Sequence, residues 1–153
     1  MFWIAARAPR QPIADFKTAA YVIDGQTVSL VDGYAEVARA PGSASKTVTQ
    51  YLGHDSVGDM NGDGTPDVGF ILTQGGGGSG TFYYAVVSLK TPDGYQGTTA
   101  RFLGDRIAPR STEIRNEQLI VTFADRKPGE PMTAEPSVAV RLVLIMDGAT
   151  LKE

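Results

Sequence analysis

Five Asp-Gly dipeptides, at 24–25, 32–33, 63–64, 93–94 and 147–148, punctuate this chain of 153 residues. Asp-Gly between two apolar runs is a strong short-range hairpin signal, because the turn needs positive φ. Four of the five have such flanks. Turns this frequent leave little room for long helices. No window carries a 3.6-residue apolar stripe beyond about two turns. The nearest helix candidate is residues 13–20, IADFKTAA, starting behind Pro12.

Short apolar runs lie between the turns. Residues 19–24, 26–31 and 34–39 read as a three-strand meander, with Val28 and Leu30 on one face of the middle strand. A PGSAS loop precedes a strand at 46–53, and 67–74 and 81–90 form a hairpin around the glycine run 75–78. Further strands are expected at 98–103, 111–115, 118–124, 137–146 and 149–152, with a long proline-rich loop at 126–136. Leu119, Val121 and Phe123 alternate with more polar neighbours, Ile120 excepted. The run 137–146 turns apolar on both faces late, which predicts a central strand covered on both sides. The expected fold is mainly β: a single antiparallel sandwich or barrel of about nine to ten short strands with little helix. Residues 19–153 form this domain and residues 1–18 a tail.

Composition narrows the chemistry. An apolar content of 42 % with 20 % charged residues is that of a folded domain. There is no cysteine, which excludes disulfides, thiol nucleophiles and cysteine-held zinc, and the single His54 excludes any site needing two imidazoles. The net charge of -3 is uneven: +2 over residues 1–18, -5 over 19–97 and zero over 98–153. No basic block is long enough for a nucleic-acid partner. The arginines at 101, 106, 110, 115, 126 and 141 alternate with acids and read as a solvated, salt-bridged face.

The string GDMNGDGTPDV at 58–68 carries the clearest chemistry. Asp59, Asn61 and Asp63 place oxygen side chains at alternate positions, Gly64 follows, and Asp67 comes four residues after Asp63. Calcium takes about six to eight oxygens at roughly 2.3–2.6 Å, and alternate side chains of a curled loop converge on one ion. Gly64 permits the bend that brings the Thr65 carbonyl onto the metal, and Asp67 closes the far side. The expected ligands are therefore Asp59, Asn61, Asp63, Thr65 (through its carbonyl) and Asp67, with Ca2+ as the ion. Phe70 stands where an EF-hand has its bidentate glutamate, and a strand leaves the loop instead of a helix. Asp55 reads as an outer partner of the loop and His54 as a surface or strand-end residue.

With the strands VGFIL and YAVVSLKTPDGY behind it, the loop resembles the calcium loops of integrin-type (FG-GAP, VCBS) repeats over about 36 residues. It occurs once, whereas a propeller needs at least about four blades, so the resemblance implies the ion and not the propeller. APGSASKTVTQYLG (40–53), GGSGTFYYAVVSL (77–89), LGDRIAP (103–109) and ADRKPGEPM (124–132) also resemble a group of uncharacterised bacterial envelope proteins. That likeness implies a periplasmic or extracellular location behind a lipoprotein signal or membrane anchor. Phe2 and Trp3 followed by Arg7 and Arg10 fit either the last turn of such an anchor or a plain tail. A positive-inside count of the two arginines argues mildly against export.

Catalytic signatures are weak. Ser43 and Lys46 fit S-x-x-K, but no S-D-N or K-T-G follows. The glycine run lacks the lysine of a P-loop. The expected function is a non-enzymatic, calcium-binding β domain of the envelope, structural or binding a protein or glycan. The alternatives are a metal-dependent hydrolase, with Asp55 or His54 as general base, or an envelope inhibitor of a cell-wall enzyme.

Overall fold

The computed structural model describes residues 15–153 apart from 77 and 79, and the readings of Phe2, Trp3, Arg7 and Arg10 fall outside those residues. Twelve strands follow one another, against the nine to ten expected. They are β1 (Ala20–Ile23), β2 (Gln26–Ser29), β3 (Tyr34–Ala38), β4 (Lys46–Gly58), β5 (Asp67–Gly75) and β6 (Thr81–Thr91). Then come β7 (Gly94–Gly97), β8 (Arg101–Asp105), β9 (Ala108–Arg115), β10 (Gln118–Asp125), β11 (Val138–Asp147) and β12 (Thr150–Lys152). The ladders between strands are all antiparallel. They make a β1-β2 pair, a four-stranded sheet β12-β11-β10-β9, and a six-stranded sheet β3-β4-β5-β6-β7 in which β8 also pairs with β6. The all-β expectation holds.

Asp24-Gly25 closes β1–β2, whereas β6–β7 closes through Pro92-Asp93, with Gly94 paired to Thr91, and β11–β12 through Gly148-Ala149, with Asp147 paired to Thr150. At the first, Asp24 and Gly25 take φ of 51° and 78°. Asp32-Gly33 makes a tight turn bridged by Val31 and Tyr34, but the meander ends there. β3 turns away to build its ladder on β4, from Tyr34–Gln50 to Ala38–Lys46.

The middle hairpin β5–β6 organises the molecule. Val68, Phe70, Leu72, Tyr84 and Val86 point to one face, where Tyr21, Ile23 and Val28 of β1–β2 and the adjoining Leu30 cover them. Ile71, Ala85 and Val87 point to the other, against Leu119, Val121, Phe123 and Leu144 of the four-stranded sheet. A strand pair covered on both sides needs no polar alternation, hence the unbroken apolar runs of β5 and β6. Residues 98–100 tie the outer layers together. The Ala100 amide donates to the Val22 carbonyl at 2.8 Å, and the Thr99 amide to that of Ala149 at 2.8 Å.

Other expectations are corrected. Within the helix candidate 13–20, the described residues 15–19 form a turn, with the Thr18 amide donating to the Asp15 carbonyl at 2.8 Å. The Phe16 ring lies 5.3 Å from that of Phe70, so the stretch plugs the end of a core. β4 does not stop at Gly53. It passes through a bulge, with His54 at φ 57°, and runs on to Gly58. That bulge meets β9, where the Thr112 hydroxyl donates to the His54 carbonyl. β11 is internal in its sheet but bare on one side, where Ala139, Arg141 and Ile145 are exposed, Ile145 at 39 %. Only its face carrying Val140, Leu142 and Leu144 meets a core.

Arg126 holds the long loop after β10. Its Nε donates to the Ala134 carbonyl and its Nη1 to that of Arg106, both at 2.8 Å. Nearby, Asp105 accepts from Arg106 Nε at 3.1 Å and Nη2 at 3.0 Å, and from the Thr81 amide at 3.0 Å. The Arg106 guanidinium, with help from that amide, holds the Asp105 carboxyl below its usual value of 3.8. A depressed carboxylate stabilises the fold above its unfolded value, and that contribution disappears as pH falls through the folded one. Asp105→Asn should therefore melt below wild type at about pH 7, with the gap shrinking at a pH below the usual carboxyl value of 3.8. An equal gap at both pH values would refute the ion pair as the cause.

Candidate metal centre

The loop 59–66 closes a hairpin, because the residues flanking it, Gly58 and Asp67, are paired across β4 and β5. Met60 anchors it, with its side chain 2 % exposed in the core beside Ile71 and Leu119. That anchor fixes one end of the loop while the acidic side chains curl over the other.

The curl is built from side chain to backbone bonds. Asp59 Oδ1 accepts from the amides of Asn61 at 3.1 Å and Gly62 at 2.8 Å, and Oδ2 from Gly64 at 2.8 Å. Asp63 Oδ1 accepts from the Thr65 amide at 2.8 Å. These are local turns of the kind Asp forms readily, and they aim alternate side chains inward. The Gly64 amide, with its neighbours, holds the Asp59 carboxyl below its usual range.

Asp67 differs from the others. It is fully buried, and its two oxygens accept from the Met60 and Lys90 amides at 2.8 Å each. Burial pushes its carboxyl above the usual range, and the charges of Asp63 and Asp59 add to this. The Lys90 bond ties the loop to the far end of β6.

One carboxylate oxygen from each of Asp59, Asp63 and Asp67 lies within 4.8 Å of the others, the only such group of three among the described residues. The inward atom of the Asn61 carboxamide is 3.1 Å from both Asp59 Oδ1 and Asp63 Oδ1. Nitrogen inward, the amide donates to both carboxylates. Oxygen inward, it adds a further acceptor that a cation would draw in with the three carboxylates. The residues present thus fit a divalent cation held by oxygen. Of the five expected ligands, four side chains gather here, and Thr65 follows as the donor to Asp63.

Asp55 and His54 take other roles. Both Asp55 oxygens accept from the Tyr51 hydroxyl, at 2.7 and 2.8 Å. Burial, with the Asp55 carboxylate, pushes that phenol up to about 12. The His54 side chain is exposed. Ser43 caps its own turn by accepting from the Ser45 amide at 3.0 Å, while Lys46 reaches Glu36 at 3.4 Å.

Sequence reasoning missed Met60 as the anchor and Lys90 as a partner of Asp67. Its only signal for the first was an apolar residue inside an otherwise polar loop. Comparison of the chain with protein families, curated proteins and solved structures gives no match.

Proposed function

We propose that this chain is a calcium-stabilised, non-enzymatic β domain of the bacterial cell envelope that acts structurally or binds a protein or glycan. The convergence of the Asp59, Asp63 and Asp67 oxygens within 4.8 Å carries the reading. Three carboxylates, one amide and the Thr65 carbonyl are hard oxygen donors from the protein alone, a set suited to calcium more than to magnesium, which keeps several waters in a strict octahedron. Small extracellular calcium modules bind in the range of about 10⁻⁴–10⁻³ M, which matches a periplasmic or extracellular setting. The resemblance to envelope proteins supports the same location, with a membrane anchor ahead of the domain.

The ion's role follows from the loop's place. It closes β4 onto β5, the strand that carries both cores, and it cancels repulsion among three carboxylates. At millimolar calcium, binding in that range adds about 0.4–1.4 kcal/mol. For a domain of this size the melting temperature should rise by roughly 1–6 °C. The test is a thermal melt with calcium and with chelator, on wild type and Asp63→Ala. A rise in wild type that vanishes in the variant is the expected result. No rise, together with calcium-dependent hydrolysis of an ester, phosphate or glycan, would replace this reading with the metal hydrolase.

A further inference from the structure

The β1–β2 layer covers only part of the sheet face that carries Phe70. Beyond its Asp24-Gly25 turn lies a cleft of about 360 Å³. Its floor is aromatic. The Phe102 ring lies 5.4 Å from Tyr84 and 6.2 Å from Phe82. Phe82 is 38 % and Phe102 47 % exposed, so two neighbouring rings stand partly bare.

The rim is polar and balanced in charge. Asp24 accepts from the Tyr84 hydroxyl at 2.8 Å through Oδ2. Across the cleft the Arg39 guanidinium donates to the Gly76 carbonyl. Gln74 donates to the Thr49 hydroxyl at 3.0 Å through its amide nitrogen, which leaves its oxygen for another donor. One carboxylate and one guanidinium thus face a pocket with an apolar base.

Each element of this chemistry restricts the ligand. A wholly apolar molecule would strip water from Asp24 and Arg39 and return nothing. A charged one would meet a like charge on one wall. On the floor, β5 and β6 are each paired on both sides, and β8 alone keeps an open edge where a peptide strand could add. The paired, partly bare rings and the charge-balanced rim match a neutral, amphipathic ring best, with C–H groups on its face to stack on Phe82 and Phe102 and hydroxyls around its edge to meet Asp24, Arg39 and Gln74. We propose that this cleft is a saccharide-binding site that seats one or two neutral pyranose rings on Phe82 and Phe102. A volume at the lower end of ligand pockets, about 300 Å³ and above, suits a ligand of that length. No cleft residue belongs to the calcium loop, so the proposal stands apart from the metal reading.

The test screens the full 153-residue chain against an array of neutral and charged oligosaccharides. Hits are then titrated by saturation-transfer NMR up to about 10 mM, with calcium and with chelator. A neutral glycan should bind in the range of about 0.1–1 mM, and Phe102→Ala should weaken it about fivefold or more. Arg39→Gln should weaken it too, with an unchanged circular dichroism spectrum. Failure of every neutral glycan to bind, preference for charged glycans, or affinity unchanged in both variants would overturn the proposal. Because calcium stabilisation is read separately by the melt, either proposal can fail without the other.

Discussion

Asp67→Ala is expected to cost about 2–4 kcal/mol of stability even in chelator. The substitution leaves the Met60 and Lys90 amides, each now bonded at 2.8 Å, without an acceptor in a buried setting. Each orphaned donor costs about 1–3 kcal/mol, and relief of a buried carboxylate offsets part of the sum. With calcium present the gap should widen, because the ion's stabilisation is lost as well. Asp67→Asn should fall between, since its single carbonyl oxygen can serve one amide well. Urea unfolding in chelator measures this. A midpoint for Asp67→Ala within about 0.5 kcal/mol of wild type would show that these amides find other partners.

Phe70→Ala should be the more damaging change, at about 3–5 kcal/mol. The ring is fully buried and lies 5.3 Å from Phe16, 5.6 Å from Tyr21 and 5.6 Å from Tyr51. These neighbours come from the 15–19 turn, β1 and β4, so the cavity cannot collapse by moving one element. Phe70→Leu should recover much of the loss by refilling the space. A denaturation midpoint for Phe70→Ala close to that of wild type would place the packing of this face elsewhere.

What was legible in the sequence was local. Asp24-Gly25 forms its turn directly, and Asp93-Gly94 and Asp147-Gly148 each mark one within a residue of where the hairpin closes. The acidic loop was legible for the same reason, since its side chains converge within nine residues, 59–67. Choice of partner was not. Nothing near Tyr34 says that β3 will leave β2 for β4, because that choice depends on strands far along the chain. The bulge at Gly53 and His54 looks like a strand end until β9 is there to receive it. The aromatic cleft was hidden most completely. Asp24, Arg39, Gln74, Phe82 and Phe102 come from five separate segments, and none forms a pattern with its neighbours.

The thinness of the β1–β2 layer has a consequence for how the molecule breathes. That layer is two strands of four residues, whereas the hairpin beneath it is gripped from both sides. Opening energies within a domain scale with the contacts that must part, so lifting this flap means withdrawing the buried Tyr21, Ile23, Val28 and Leu30 and breaking the Ala100–Val22 bond. Asp24 sits on the tip of the flap, and Phe82 and Phe102 stay on the sheet that does not move with it. Amide exchange in β1 and β2 thus reports on the width of the cleft. A molecule gripping Asp24 and the rings together would slow that exchange while leaving β5 and β6 as they were.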